Sequence, residues 1–417
     1  MRRTNVFKLK PTKEQEKRLF ELANNCSRLW NEINYKRRQS FFSGEIDWNT
    51  DEEYHKYKKI IGSAMVQQII RKNNEAWKSF FALLKKKSKG KLPPNIRKVS
   101  PPRYWKDRKA GKRKLRILVR NDCYKLGGDV LKFGKMRIKW KGKNRWKGKQ
   151  GRLEIVYDEP SKSWYAFQPV EVEPLHQPIG YKKAYCDLGV RVLIMAAIDN
   201  EVFGYSSNRL LSDWWYWSKK IAKYQSKLKR VNNKHTSKRL RQLYRKRKRR
   251  FRHFVNTIVN RFIRLCYERG VSEIVIGDLK GIRNNNNGIK KFNSMIHNFW
   301  SHDYLIQRIK EKAEEYGMKV TQVDESYTSS RCPRCGSVKV YKHKRLFKCL
   351  NCGLEAHRDA VGCVNIGVAQ GNNPGELING AVACPVFLRV EEGAEVKADV
   401  APMSVKLSEA RTSHALA

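Results

Sequence analysis

Long apolar segments and acidic residues are scarce in this sequence of 417 residues. No run approaches the roughly 18 uncharged apolar residues of a membrane-spanning helix, so we expect no membrane span. The basic start, MRRTNVFKLK, is not followed by an apolar segment of the kind found in secretory signals. The ten cysteines do not form the pattern of a disulfide framework in a chain of this size, and a reducing, cytoplasmic location is expected.

The charge is strongly asymmetric, because 89 Lys and Arg stand against 39 Asp and Glu and give a formal net charge of +50. So large an excess would destabilise a compact fold by self-repulsion unless a polyanion screens it, and nucleic acid is the expected partner. The excess is greatest between Lys219 and Arg252, where 17 basic residues occur without one acid. A solvated helix face is the alternative explanation of this run. The aromatic residues Trp214–Trp217 could stack on bases, but core packing is favoured, since four consecutive positions cannot all face one ligand.

Hydrophobic patterns divide the chain into segments of different structure. Residues 3–10 alternate like a strand, and a capping-box pattern at Thr12 predicts that a helix begins there. A second helical pattern runs from about Asp51 to Lys86. Residues 115–172 hold short strand-like runs between turn residues, which predicts a small barrel or sandwich that residues 3–10 join. From residue 181 strands and helices alternate as in a mixed α/β core. The segment after residue 370 is predicted to be a disordered tail.

Two cysteine pairs have the spacing of a zinc site. Cys332 and Cys335 form one CxxC pair, and Cys349 and Cys352 form a second pair thirteen residues later. Each pair places two thiolates on one turn, and two such turns give a tetrahedral four-sulfur site for Zn²⁺. Because all four positions are occupied by sulfur, the predicted zinc is structural. Buried free thiols would not explain the paired spacing.

Three acidic positions are candidates for a second metal centre. Asp187 ends an apolar strand, Glu325 follows another strand together with Asp324, and Asp359 lies in a helical segment after the second cysteine pair. Carboxylates on separate elements can hold two Mg²⁺ ions, of which one activates water and the other stabilises the leaving oxygen of a phosphodiester. Each acid also has a simpler interpretation, as a strand-end turn, a loop acid pair or a helix N-terminal acid. Spacing alone does not show that they converge.

These segments together resemble a known family. The runs YCDLG, IVIGDLKGI, VDESYTSSRCPRCG and KCLNCGLEAHRDAVGCVNIG are similar to motifs of the TnpB/OrfB proteins of bacterial and archaeal insertion sequences, relatives of the type V CRISPR effectors. The resemblance covers residues 181–367 in motif order and zinc spacing. The start, FKLKPTKEQEKRLFELANNCSRLWN, is also similar to the opening of that family, whereas the tail after residue 370 is not covered.

The resemblance implies an RNA-guided DNA endonuclease with a multidomain α/β fold and an additional β-barrel. A RuvC-like, RNase H-type core would occupy residues 179–331 and 354–370 and would cut DNA with Mg²⁺. A four-cysteine zinc ribbon that binds the target nucleic acid would be inserted in it at 332–353. Residues 371–417 would form the tail.

The resemblance also implies how nucleic acid is held. A wedge-type barrel of residues 1–10 and 100–178 and a helical recognition region of residues 11–99 would bind a guide RNA derived from the transposon end. Pairing of this RNA would select double-stranded target DNA, while the protein reads a short motif beside the target. We expect a monomer bound to RNA in a bacterial or archaeal cytoplasm, associated with the nucleoid.

The sequence departs from the commoner family pattern at one position. Gly277 stands in IVIGDL where most members carry a glutamate. The segment resembles a subgroup with a relocated glutamate, here Glu325, which is 48 residues later. The resemblance therefore implies Asp187, Glu325 and Asp359 as the catalytic magnesium ligands. Asp278, which directly follows the vacant position, is the reserve candidate.

Two other functions compete with the nuclease. The missing acid at position 277 allows a nuclease-dead, RNA-guided repressor, although the three retained acids favour cleavage. The basic charge and the four cysteines allow a DNA-binding factor that uses only a zinc ribbon. The predicted barrel and helices of the first half would be superfluous in such a factor, which disfavours this alternative.

Overall fold

The computed structural model describes residues 1–93, 96, 98–106, 113–278, 299, 301–324, 330–371, 382, 385–388 and 398–399. The chain forms two compact units, Met1–Glu173 and Pro174–Ala417. Each unit has its own hydrophobic core, as expected for a multidomain chain of this length. None of the helices in the described residues combines the length and the apolar composition that crossing a membrane requires.

The first unit contains an antiparallel sheet. Its strands are β1 (Arg2–Lys10), β2 (Arg116–Val119), β3 (Tyr124–Gly127), β4 (Val130–Phe133), β5 (Met136–Gly142), β6 (Lys149–Gln150), β7 (Leu153–Asp158) and β8 (Ser163–Glu171). The order is β2-β7-β8-β1-β5-β4-β3, with β6 also paired to β8. The N-terminal strand thus lies between β5 and β8, which confirms that residues 3–10 join the later strands. Among the described residues no ladder joins β2 to β3, so closure into a wedge barrel remains a prediction.

Three helices follow β1 in the first unit. They are α1 (Lys13–Phe42), α2 (Asp51–Ile61) and α3 (Ser63–Ser88). The predicted capping box is present at Thr12, whose hydroxyl accepts from the Gln15 N–H at 3.2 Å. The helical pattern after residue 51 is interrupted at Gly62, because its φ of 85° is a left-handed conformation that glycine adopts readily. The three helices share one core with the strands, so the predicted helical region is not separate from the sheet.

The second unit is built on a mixed sheet. Its strands are β9 (Lys182–Asp187), β10 (Val192–Ile198), β11 (Glu201–Ser206), β12 (Val271–Asp278), β13 (Lys319–Asp324), β17 (Val386–Leu388) and β18 (Ala398–Asp399). The order is β13-β12-β9-β10-β11-β17-β18. β10 is antiparallel to both β9 and β11, whereas β12 runs parallel to β9 and β13 parallel to β12. The α/β pattern predicted after residue 181 is therefore confirmed, and β9, β12 and β13 end at the same edge.

Helices cover both faces of this sheet. One face packs against α4 (Asn208–Asn232), α5 (Lys238–Glu268) and α6 (His302–Glu315) in the largest core of the unit. The other face packs against α7 (Arg358–Val368). Side chains alternate between the two sides along each strand, so that Cys186 and Ile274 face α5 while Tyr185 and Val275 face α7.

The zinc-ribbon segment forms a small sheet beside α7. Its strands are β14 (Val340–His343), β15 (Leu346–Cys349) and β16 (Glu355–His357), paired in that order. Phe347 and Ala356 are buried with residues of α7 and with Met195 of β10. β16 is followed directly by α7, without a connecting loop.

Two of the predicted boundaries are wrong. The barrel was expected to reach residue 178, but residues 174–178 belong to the second unit, because the N–H groups of Leu175 and His176 both bond to the Glu315 carbonyl. The predicted disordered tail is also wrong for the described part of 371–417. There the apolar run that starts at Val386 forms β17, which extends the sheet by pairing in parallel with β11.

Candidate functional site

The four cysteines of the ribbon converge in space. Their Sγ atoms all lie within 4.8 Å of one another. Cys332 and Cys352 are 3.6 Å apart at Sγ, and so are Cys335 and Cys349. A tetrahedral site with Zn–S bonds of about 2.3 Å has sulfur atoms about 3.8 Å apart, so the donor set and its geometry fit zinc. Each of the two close pairs joins one CxxC turn to the other, which closes the site.

Local backbone structure holds each cysteine turn. Gly336 and Gly353 follow the second and fourth cysteines with φ of 71° and 72°, and their N–H groups bond back to the carbonyls of Cys332 and Cys349. Hydrogen bonds lower the pKa of the Cys335 thiol to about 6, and the bond with the backbone of Ser337 has the largest effect. Burial raises the pKa of Cys332 to about 12. Metal binding at this site must therefore displace a proton from Cys332, and its affinity rises with pH.

Asp187 lies at the end of β9, on the face that α7 covers. It is half-buried and belongs to the same side of the strand as Tyr185. At Gly362 of α7 an added Cβ would stand 2.8 Å from the Asp187 Oδ2 atom. The glycine therefore allows the carboxylate to lie directly against the helix.

Asp359 lies in the first turn of α7, three residues before Gly362, and therefore on the same side of the helix. Burial raises the pKa of the Cys363 thiol well above its usual value, and the negative fields of Asp187 and Asp359 raise it further. Both carboxylates thus raise the pKa of the same buried thiol of α7. The structure brings these two predicted ligands to the same part of the helix.

Asp359 already has a cationic partner in the structure. Arg345, in the turn between β14 and β15, donates Nη1 to Asp359 Oδ1 at 2.6 Å and also contacts Oδ2. The backbone N–H of Arg358 bonds to the Arg345 carbonyl at 2.8 Å. Any metal ion at Asp359 must therefore exchange with, or share the carboxylate with, this guanidinium.

The third predicted ligand, Glu325, lies outside the described residues, as does the side chain of the reserve candidate Asp278. Among the residues that the structure does describe, no third acidic side chain joins Asp187 and Asp359 in a ligand cluster. Gly277 is described and is buried. It belongs to the α7 side of β12, since it lies two residues after Val275.

The basic segment after Trp217 forms a helical hairpin of α4 and α5. Leu228, Leu240 and Leu243 lie in the apolar seam between the two helices, whereas all 17 basic residues except Arg247 and Arg250 are exposed. The prediction for the aromatic run is confirmed for Trp214 and Trp217, which are buried, and Trp215 packs against the main core. Tyr216 is exposed.

Comparison with known proteins gives two matching family models and a set of related sequences and structures. The family model described as a probable transposase, OrfB of IS605, matches residues 167–283, and the Cas12f1-like TNB domain matches residues 302–366. A TnpB-like protein, ORF457 of Acidianus two-tailed virus, is 37% identical over an alignment 399 residues long, which covers 88% of this chain and 86% of the viral protein. The chain belongs to the TnpB/OrfB family.

Relatives of the TnpB family outside this group are more distant. The CRISPR-associated endodeoxyribonuclease Cas12f1 of Sulfoacidibacillus thermotolerans is 27% identical over 229 residues, 52% of each chain. A solved complex of Cas12f1 with single-guide RNA and target DNA covers 85% of this chain at 14% identity, with a TM-score of 0.57 and 83% of that chain matched. The mini-RNA-guided endonuclease CRISPR-Cas phi3 covers 89% at 12% identity, with a TM-score of 0.51 and 92% of that chain matched. These likenesses show a Cas12-type fold, in agreement with the RuvC-like core predicted from sequence.

Sequence reasoning missed two residues that shape this site in the TnpB-family chain. Gly362 could have been found, because a glycine three residues after a helical acid marks a close approach on the same side of the helix. Arg345 could not, since its contact with Asp359 depends on how the turn between β14 and β15 folds back on α7.

Removal of one ribbon cysteine tests the zinc site. We expect Cys349→Ser to lower zinc content from about one equivalent per chain to near zero and to lower the melting temperature, because a structural site contributes its binding energy to folding. Elemental analysis and thermal unfolding measure the two effects. Cys123→Ser, a partly exposed thiol of the first unit, is the matched control and should keep its zinc. Zinc-free wild-type protein would show that the four thiols are not a zinc site.

Proposed function

We propose that this TnpB-family chain is an RNA-guided DNA endonuclease that hydrolyses phosphodiester bonds at a magnesium site formed by Asp187, Glu325 and Asp359. Its guide would be an RNA derived from the transposon end, and its substrate double-stranded DNA beside a short motif that the protein reads. The observation that supports this function best is that Asp187 lies against α7 at Gly362 while Asp359 lies in the first turn of the same helix. Two carboxylates from separate elements lie there on one side of the helix.

The chemistry of these donors suits magnesium. Carboxylate oxygens are the ligands that Mg²⁺ prefers, and a pair of such ions activates water and stabilises the leaving oxygen. Asp187 and Asp359 would hold the ions, and Arg345 would be displaced from Asp359 or retained beside it. The zinc ribbon supports this arrangement from outside, because β16 leads directly into the helix that carries Asp359.

The described end of β13 supports the proposal for Glu325. Thr321 and Val323 belong to the α7 side of β13, since Thr321 bonds to Glu273 of β12 and Val323 packs against the cluster of Val275 and Ile366. Glu325 is the residue that follows this strand in the sequence. In the parallel register Gly277 is opposite Val323. A glutamate at 277 in most family members and one at 325 here would then serve the same edge of the sheet.

The α4–α5 hairpin supports nucleic acid as the partner. Its exposed cations line two long helices without one acid between Lys219 and Arg252. Two side chains are exceptions, since Arg250 pairs with Asp213 at 2.7 Å and Arg247 donates to Ser218 at 2.8 Å, and these contacts fasten α5 to α4. The other basic side chains between Lys219 and Arg252 are exposed, and binding of phosphate groups by them would release counterions and be strongly salt-dependent.

Co-expression with the flanking transposon end tests the function as a whole. We expect RNA to co-purify with the protein, and its sequence to identify the guide. The complex should cut a plasmid library with randomised flanks only when the guide matches and Mg²⁺ is present. Protein that emerges free of RNA from a low-salt lysate would contradict the proposal. Guided binding without any cutting would instead identify a repressor.

Substitution of each acid tests the assignment of the ligands. We expect Asp187→Ala, Glu325→Ala and Asp359→Ala each to lower cleavage by about 10³-fold while guided DNA binding persists, because the carboxylates position metal ions for the chemical step. Asp278→Ala is the control and should be milder. Gly277→Glu in the Glu325→Ala background should restore part of the activity. Full cleavage by Glu325→Ala together with an inactive Asp278→Ala would transfer the role to Asp278.

Gly362→Ala tests whether the Asp187 carboxylate works where the structure places it. Alanine is favoured over glycine in a helix by about 1 kcal/mol, so stability should not fall. The new methyl group would push the carboxylate away from α7, and we expect cleavage to fall at least tenfold. The control is Gly367→Ala, whose Cβ would meet the Tyr185 ring at 3.1 Å and should cost stability without moving a carboxylate. Unchanged cleavage by Gly362→Ala would show that the Asp187 position is not critical.

A further inference from the structure

A cavity of about 440 Å³ lies beside the helical hairpin of the second unit, away from the α7 face of the sheet. Its walls come from α4, from α5 and from the start of α6. Its volume falls within the range of pockets that bind small molecules, about 300–1,000 Å³. Neither the zinc site nor the acid site involves any residue that lines it.

Aromatic rings form much of the cavity wall. Trp214 and Phe299 are buried with ring centroids 5.5 Å apart in an edge-to-face contact. Phe251 lies 5.6 Å from Phe299 and 6.5 Å from Tyr304, so the rings form one continuous wall. Tyr244 also lines the cavity and is 39% exposed, so its ring remains accessible from solvent.

Cations from α5 line the same cavity, and they are Arg245, Arg247, Lys248 and Arg252. The Arg247 guanidinium lies 5.1 Å from the Trp214 ring centroid and 5.3 Å from that of Tyr244. The Arg252 guanidinium lies 5.1 Å from the Tyr304 ring centroid. No Asp or Glu is among the described residues that line the cavity. Such a site attracts a ligand that is both flat and anionic.

We propose that this cavity binds one unpaired nucleotide of the guide RNA, with its base against the aromatic wall and its phosphate on the cations of α5. The inference rests on the proposed function for the presence of a guide RNA. Base stacking on aromatic rings needs an unpaired base, because paired bases offer their faces only to their neighbours in the duplex.

RNA is favoured over DNA as the source of the nucleotide for two reasons. Proteins recognise RNA mainly at loops, bulges and ends, where unstacked bases can lie on aromatic rings or on arginine planes. Ser301, which precedes α6, adds a hydroxyl to the cavity and makes no capping hydrogen bond to the helix. It is a candidate partner for the ribose 2′-hydroxyl, the group that distinguishes RNA from DNA.

Tyr244 is the residue at which the proposal can be tested, because it is exposed enough to be replaced without disturbing the core. Tyr244→Leu removes the aromatic face, whereas Tyr244→Phe keeps the face and removes only the hydroxyl. Tyr216→Leu is the matched control, since Tyr216 is an exposed tyrosine of α4 that does not line the cavity.

The measurement is fluorescence anisotropy with the full chain, at a salt concentration that weakens the phosphate contacts. The probes are a short single-stranded RNA, the same RNA with abasic riboses, and the DNA of the same sequence. We expect wild-type protein to bind the base-bearing RNA about tenfold more tightly than the abasic RNA. Tyr244→Leu should lose this preference, and Tyr244→Phe and Tyr216→Leu should keep it.

Three results would overturn the proposal. Equal affinity of wild-type protein for base-bearing and abasic RNA would show that no base is held. An unchanged preference in Tyr244→Leu, or an equal loss in Tyr216→Leu, would place base binding outside this cavity. Binding of the DNA probe by wild-type protein as tightly as the base-bearing RNA would exclude RNA as the specific occupant. None of these results bears on guided cleavage, which is measured separately, so the two proposals can fail independently.

Discussion

The close approach of α7 to β9 is the constraint on which the candidate nuclease site depends. It is possible because two residues on the helix have no side chain. At Gly362 the Asp187 carboxylate occupies the space that a Cβ would need, and at Gly367 the Tyr185 ring does so. Glycine in a helix costs about 1 kcal/mol relative to alanine. That cost is offset by burial of nearly all of α7 from Ala360 to Gly367, which fixes the height of the helix above the sheet.

The ribbon and the acid site are parts of one folded assembly. Phe347 and Cys349 of the ribbon are buried in the same cluster as Val361 and Val364 of α7. Zinc held by the four cysteines would therefore stabilise more than the two cysteine turns, since β16 of the ribbon leads directly into the helix that carries Asp359. The same assembly brings Arg345 onto that carboxylate. A guanidinium and a divalent metal ion would compete for Asp359, so any affinity of this carboxylate for magnesium would depend partly on how firmly the turn of the ribbon holds Arg345.

Much of the fold and part of the site follow from the sequence, and the exceptions have physical causes. β10 is a continuous apolar run, and the ribbon cysteines have the paired spacing of a metal site. The positions of Asp187 and Asp359 follow from a strand end and a helix start. By contrast, the first-unit boundary depends on hydrogen bonds of Leu175 to a carbonyl 140 residues away. Short strands such as β6 and β17 carry too few residues for a periodic signal, and they form because a neighbouring edge is available.

The pairing of β17 with β11 has a consequence for the solution behaviour of the chain. β11 is a largely buried strand of the central sheet, and without β17 its outer row of backbone N–H and C=O groups would have no strand beside it. An uncovered edge of this kind is a template for pairing with another molecule, and the apolar residues Val202 and Phe203 would make such pairing favourable. Trimming the chain at residue 371 would therefore keep the four ribbon cysteines, Asp187 and Asp359 in the sequence and yet expose this edge. β17 thus pairs with this edge from within the same chain and leaves it unavailable for pairing with another molecule.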